Sequence, residues 1–348
     1  MTNIDWQRVH AGLDREQHKM IWKPYGLPEI MNLETSSFHD AQVSQPWDVP
    51  QKMIVSVAVT GAFFQHKQNP AQPITPDEIR ESAREVALAG ASALHIHVRD
   101  DNGYNVLSPK RFHDVIAPLH KEFPTMPIDG CLVPALAGEW EKMTAVMESK
   151  LLDAAPINAT ATYIGDSLFA KPAPVIMEKT RLINQHGSVP EIAVYTDADV
   201  AIAKRFLISS GLIETPAFWL VLPALPGGSP MDNTRQMIEG LTRIVNAIRD
   251  VDPDGVIMVC AAGRASTHLA TQAALMGLHI RVGMEDTYYK WPHREDRINS
   301  NLEALEYAQK IAEVTGRDIA TPEEARALMG LPPVHEFSGD GSALTALG

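Results

Sequence analysis

Two cysteines, Cys131 and Cys260, are all that 348 residues carry. No disulfide framework is implied, and a reducing compartment is the expectation. Positive charge is also short: 30 Lys and Arg stand against 43 Asp and Glu, a formal net charge of −13. That balance argues against nucleic acid or an anionic membrane as a partner, so an anionic substrate would need local cations. No apolar run nears the roughly 20 residues of a membrane helix. The opening Met1-Thr2-Asn3-Ile4-Asp5-Trp6 has no basic region followed by an apolar core, so no signal peptide is read and a cytoplasmic protein is expected. Low-complexity tracts are missing too, and nothing repeats beyond a strand–helix unit.

What is present is an alternation. Residues 1–50 carry no clear period and read as an irregular arm with one helix, Asp14 to Lys23, packing on the barrel or on a partner subunit. Apolar strands are then expected at 53–59, 91–98, 127–133, 154–158, 191–195, 218–222, 255–259 and 279–282, each followed by a helix. The start of the first such helix is well marked: Thr75 as N-cap, Pro76 at the first helical position and Glu78 completing a capping box. Residues 159–172 read as a loop carrying Gly165-Asp166, and Asp197 as the cap of the helix after the fifth strand. Eight strand–helix units point to a (β/α)8 TIM barrel over residues 51–316. Residues 317–348, with a second capping pattern at Thr321-Pro322-Glu323-Glu324, form a C-terminal helical tail against the barrel or a neighbouring subunit. An open doubly wound sheet is disfavoured, because no Gly-rich dinucleotide loop follows the first strand.

His95-Ile96-His97-Val98-Arg99-Asp100 closes the second strand. Alternate residues of a strand share a face, so His95 and His97 point the same way and reach one metal ion if a third ligand arrives. Two hydrogen-bonded interior histidines are the plainer alternative, in a chain with 13 of them. The eighth strand runs into Glu285-Asp286. In a barrel the second and eighth strands both flank the first, and active sites sit at the C-terminal strand ends. His95, His97 and Glu285 are therefore expected to converge at one rim. Asp286, near Arg281, is a candidate general base; an acidic pair serving the next helix, with Arg281 as its salt-bridge partner, is the alternative.

Ala58-Val59-Thr60-Gly61-Ala62, Ile74-Thr75-Pro76-Asp77-Glu78, the His95–Asp100 run, Pro226-Gly227-Gly228, Gly263-Arg264 and His279-Ile280-Arg281-Val282-Gly283-Met284-Glu285-Asp286 stand in an order that resembles the β-keto acid cleavage enzymes. The family includes 3-keto-5-aminohexanoate cleavage enzyme, and the likeness covers about residues 52–332. The resemblance implies a zinc enzyme that takes a small β-keto acid and acetyl-CoA and returns acetoacetate and a new acyl-CoA. It implies His95, His97 and Glu285 as zinc ligands, with Asp286, paired with Arg281, removing the proton alpha to the ketone. Thr60, Gly61, Phe63 and Asn158 belong to the implied substrate-binding set. Gly227 and Gly228 join it if the thioester approaches the backbone there; a plain turn is the alternative. Arg264 joins it if it meets a CoA phosphate or the substrate carboxylate, an ordinary salt bridge being the alternative. Cys131 reads as an inert packed thiol, and His268 as structural or solvated.

The chain departs from the family's pattern at four places. Cys131-Leu132-Val133-Pro134 replaces a Ser/Thr-Gly-Gly turn, and Ala161, between Thr160 and Thr162, stands where a hydroxyl is usual. Phe63 and Ala193 stand where carboxylates are found. An ammonium group leaving water needs a counter-charge, so the distal end of the substrate is expected to be uncharged or anionic. Two other functions stay open. One is an amidohydrolase-like zinc hydrolase, which would add a lysine or histidines at the ends of strands four to six. The other is an inactive metal-bound barrel that binds an acid or acyl-CoA. A homo-oligomer, dimer or tetramer, is expected.

Overall fold

The computed structural model describes residues 4–20, 46–134, 136–164, 166–225, 228–332 and 334. The chain divides into two compact units after Val49. In the first, helix α1 (Trp6–Met20) starts well before the expected Asp14. The reason is local: Asp5 Oδ1 accepts from the Arg8 backbone N–H at 3.0 Å and so caps the first turn. Residues 21–23 of the expected helix lie outside the described residues.

The second unit is the barrel. Strands β1 (Val55–Ala58), β2 (Ala93–Ile96), β3 (Ile128–Gly130), β4 (Ala154–Asn158), β5 (Val189–Val194), β6 (Phe218–Val221), β7 (Val256–Cys260) and β8 (His279–Val282) close in sequence order, all parallel, with β8 pairing back onto β1. Helices α2 (Pro76–Leu88), α3 (Pro109–Glu122), α4 (Glu139–Glu148), α5 (Ala173–His186), α6 (Asp197–Ala203), α7 (Thr234–Val251), α8 (Ser266–Leu275) and α9 (Asn301–Val314) follow the strands in turn. The capping box before α2 forms as its residues predict: Thr75 Oγ1 accepts from Glu78 N at 3.3 Å and Glu78 Oε2 from Thr75 N at 2.9 Å. Ile79, Ala83 and Val86, spaced four and three apart, bury one face of that helix. Each of the two larger side chains contributes about 1.5–3 kcal/mol by leaving water.

Three local expectations need correction. Ala161–Ile164 pairs antiparallel with Ser167–Ala170 rather than lying in a loop; four-residue arms are too short for their alternation to register as strands. The cap of α6 is Thr196, not Asp197, and Asp199 completes it by accepting from Tyr195 N at 2.8 Å and Thr196 N at 3.0 Å. Strand β3 ends at Gly130, short of the expected residue 133, and the Leu132 carbonyl accepts from the Lys179 ammonium instead of from a neighbouring strand.

One core cluster lies between the strands and the helices that surround them. A second joins barrel residues Ile54, Ala93, Ala154, Phe218, Leu220 and Met258 to Ala320, Ala325, Met329 and Leu331. The last four come from the segment that contains helix α10 (Pro322–Leu328). Just before it, Asp318–Ile319 pairs in parallel with Lys52–Met53. Among the described residues no helix is long and apolar enough to cross a membrane.

Candidate active site

At the end of β2, His95 and His97 are both buried, 2% and 4% exposed. The Nδ1 atom of each ring is already engaged. His95 Nδ1 bonds Asp129 Oδ1, its register neighbour on β3, and His97 Nδ1 bonds Asn105 Oδ1 at 2.6 Å. Both Nε2 atoms therefore turn to Glu285: His95 Nε2 lies 3.2 Å from Oε2, and His97 Nε2 lies 3.3 Å from Oε1. One ligand atom from each of the three residues falls within 4.8 Å of the others. His95 Nε2, His97 Nε2 and Glu285 Oε2 are buried with no hydrogen-bond partner. Two imidazole nitrogens and a carboxylate oxygen, convergent and orphaned, fit a divalent ion such as zinc with positions left for substrate. Asp129 and Asn105 are the outer partners that fix ring orientation in such sites.

The electrostatics favour a cation at this point. Burial opposes charge on His95, yet Asp129 and Glu285 raise it to about 10. Burial also opposes ionisation of Glu285, but His95, His97 and Arg281 together hold its carboxyl well below the usual range.

Backbone geometry delivers Glu285 to the histidines. Gly283 sits at φ +135°, where a Cβ would lie 2.3 Å from Ala58 O. Its missing side chain lets the turn after β8 close on β1, and Glu285 N donates to Ala58 O at 3.1 Å. Asn301, the first residue of α9, accepts from Met284 N at 2.8 Å and donates to Val59 O at 2.8 Å. It pins the Glu285 segment to the segment that carries Thr60.

Asp286 is 3% exposed and is gripped by a fork: Arg281 Nε donates to Oδ2 at 3.0 Å and Nη2 to Oδ1 at 2.6 Å. Arg281 Nη2 also reaches Glu285 Oε1 at 3.2 Å, so one guanidinium links the metal-type carboxylate to the candidate base. Burial pushes Asp286 above the ordinary carboxylate value and Arg281 opposes it.

The other expected residues are placed less uniformly. Thr60 Oγ1 donates to Pro73 O at 2.7 Å and accepts from Gln72 and Arg99, which commits the hydroxyl to its own loop. Gly61 packs directly on Glu285. Phe63 is 57% exposed. Asn158 Nδ2 donates to the Tyr195 hydroxyl at 3.0 Å. A Cβ at Gly228 would meet Pro223 O at 2.6 Å, and Gly227 lies outside the described residues. Arg264 lies 3.6 Å from the Tyr289 ring centroid and pairs with Glu295 at 2.7 Å, so it is not brought to the three donors by any contact.

The sequence gives no pointer to Asn105 or Asn301, and Cys131 reads in it as an inert thiol. Cys131 lies within electrostatic reach of His97. Glu191, on β5, is 1% exposed, and burial followed by the charge of Asp129 raises it to about 8. The signal that reaches Asp129 is strand register, since His95 and Asp129 are paired across β2 and β3.

A family profile described as beta-keto acid cleavage enzyme matches residues 52–331. The 3-keto-5-aminohexanoate cleavage enzyme of Acetoanaerobium sticklandii is 29% identical over 292 residues, covering 81% of this chain and 99% of that one. The 3-dehydrocarnitine:acetyl-CoA trimethylamine transferase of Rhizobium meliloti is 27% identical over 315 residues, covering 82% and 99%. The 3-oxoadipate:acetyl-CoA acetyltransferase of Cupriavidus necator is 26% identical over 282 residues, covering 81% and 96%. Among solved structures, ObcA in binary complex with oxaloacetate aligns with a TM-score of 0.62 at 16% identity, over 76% of this chain and 68% of that one, a likeness of fold. The profile spans the barrel from its first strand through the tail helix, and on that match the chain belongs to the β-keto acid cleavage enzyme family.

Proposed function

We propose that this barrel condenses a β-keto acid with acetyl-CoA and releases acetoacetate and a new acyl-CoA. The observation that carries the reading is the set of three orphaned donors, His95, His97 and Glu285, joined through Arg281 to a buried carboxylate, Asp286. The relatives' names, which pair keto acids with acetyl-CoA, support the same reaction class. A zinc ion held by the three donors would supply a Lewis acid for the ketone and carboxylate oxygens of the substrate.

The protein's own groups do the rest. Asp286 takes the proton from the carbon between the ketone and the carboxylate. Arg281 keeps Asp286 oriented, and a carboxylate has lone pairs left over from a bidentate fork to accept that proton. The carbanion attacks the acetyl thioester and expels CoA thiolate. The thiolate then attacks the original ketone, the carbon–carbon bond breaks, and Asp286 returns its proton to the departing acetoacetate carbon. Arg281 and Asp286, each 3% exposed, hold this chemistry away from bulk water.

A hydrolase of the amidohydrolase kind finds little support, because among the described residues the ends of β4, β5 and β6 offer Asn158, Tyr195 and Leu222 rather than histidine or lysine ligands. The reading is tested by incubating the protein with acetyl-CoA and a panel of β-keto acids. Acetoacetate and a new acyl-CoA should appear in equal amounts with at least one member. No acetoacetate from any member contradicts the proposal.

A further inference from the structure

Two lysines near the ends of β3 and β4 have no acid of their own. Lys179, on α5, is 6% exposed, and its ammonium donates to the carbonyls of Leu132 and Pro156. Lys171 follows the paired arm Ser167–Ala170, and its backbone N–H donates to Thr160 O at 3.0 Å. Its ammonium lies 4.8 Å from the Phe169 ring centroid, and that ring lies 6.2 Å from Tyr195, a residue of the barrel-interior cluster. The Lys171 ammonium therefore lies over a ring that packs against that cluster. The Cys131 thiol is within electrostatic reach of His97 and of both ammonium groups.

Charge that leaves water is normally paired. Among the described residues neither lysine makes an ion pair. Of the nearby acids, Asp129 is engaged by His95, Glu285 by both histidines and Arg281, and Asp286 by Arg281, while the buried Glu191 pairs with neither lysine. Burial lowers both lysines below their ordinary value, Lys179 to about 8; an arriving anion relieves that cost.

We propose that Lys171 is an anion anchor of the keto-acid pocket and that the substrate is a β-keto dicarboxylate. One carboxylate sits at the His95–His97–Glu285 centre and the other meets Lys171 Nζ, with Lys179 adding positive field from behind. The proposal rests on the β-keto acid reading of the site. It also gives a physical sense to Phe63 and Ala193, which add no acid of their own to repel a second carboxylate.

The test compares 3-oxoadipate, a six-carbon keto diacid, with its methyl-ended counterpart 3-oxohexanoate. Lys171→Met should lower the kcat/KM ratio of diacid to methyl-ended acid by roughly 10- to 100-fold, the range of a lost charge-assisted hydrogen bond. Lys171→Glu should shift preference toward the ammonium-bearing 3-oxo-5-aminohexanoate. Calorimetric titration of 3-oxoadipate should show the same weakening in Lys171→Met without any turnover. An unchanged ratio together with unchanged affinity overturns the proposal. So does a rise in the KM for acetyl-CoA with an unchanged keto-acid ratio, which would assign the lysine to the coenzyme's phosphates. If 3-oxoadipate binds in a Lys171-dependent way but no acetoacetate forms, the anchor stands and the cleavage reaction is the part that fails.

Discussion

Asn105 Oδ1 lies 2.6 Å from His97 Nδ1, and that contact turns the ring's Nε2 toward Glu285. Outer partners of this kind typically contribute about 10- to 100-fold to metal affinity. Asn105→Ala should lose its metal to a competing chelator in that range while its far-ultraviolet circular dichroism stays that of the wild type. Equal retention of metal by the two proteins contradicts the role.

Asp286→Asn keeps the size of the side chain and removes the proposed base. Turnover should fall by roughly 10²- to 10⁴-fold, the usual size of a general-base contribution, with metal content intact. Near-normal turnover would place the proton elsewhere.

Gly61→Ala probes how closely the turn after β1 packs on Glu285. The added Cβ would lie 2.4 Å from Glu285 Cγ, so the ligand side chain must swing aside. Overpacking of this order costs about 1–3 kcal/mol. The variant should purify with less metal per chain than the wild type and melt at a lower temperature; full metal occupancy at an unchanged Tm contradicts the packing described.

His279, at the start of β8, is 8% exposed, and its Nδ1 accepts from Ile54 N at 3.0 Å. Burial, aided by the charges of Arg317 and Arg249, lowers it to about 4. The unfolded imidazole titrates near 6.5, so between pH 6.5 and 4 the unfolded chain binds more protons than the folded one. The stability from this group is complete above pH 6.5 and is lost as pH falls to 4, about 3 kcal/mol in all. Urea unfolding across that window should show a shallower slope for His279→Asn, which keeps an acceptor for Ile54 N–H but does not titrate. Identical slopes would mean that the acid sensitivity arises elsewhere.

Much of this is legible in the sequence because it is local. Thr75 and Thr321 announce their helices within four residues, and both capping boxes form. His95 and His97 share a face by strand period alone, and barrel closure brings β8 next to β1. Other features depend on partners far apart in the chain. Asp129 on His95, 34 residues away, and Asn301 on Val59, 242 residues away, follow from register and from a helix start meeting a strand end. Lys171 carries no such signal for another reason: its place over the Phe169 ring depends on the pairing of Ala161–Ile164 with Ser167–Ala170, whose short arms read as loop.

The dependence of the site on His95, His97 and Glu285 is tested most directly by elemental analysis of purified protein before and after His97→Ala. One zinc-like ion per chain in the wild type, absent from the variant, is the expected result. Full metal occupancy in His97→Ala, or none in the wild type after growth with zinc, contradicts it.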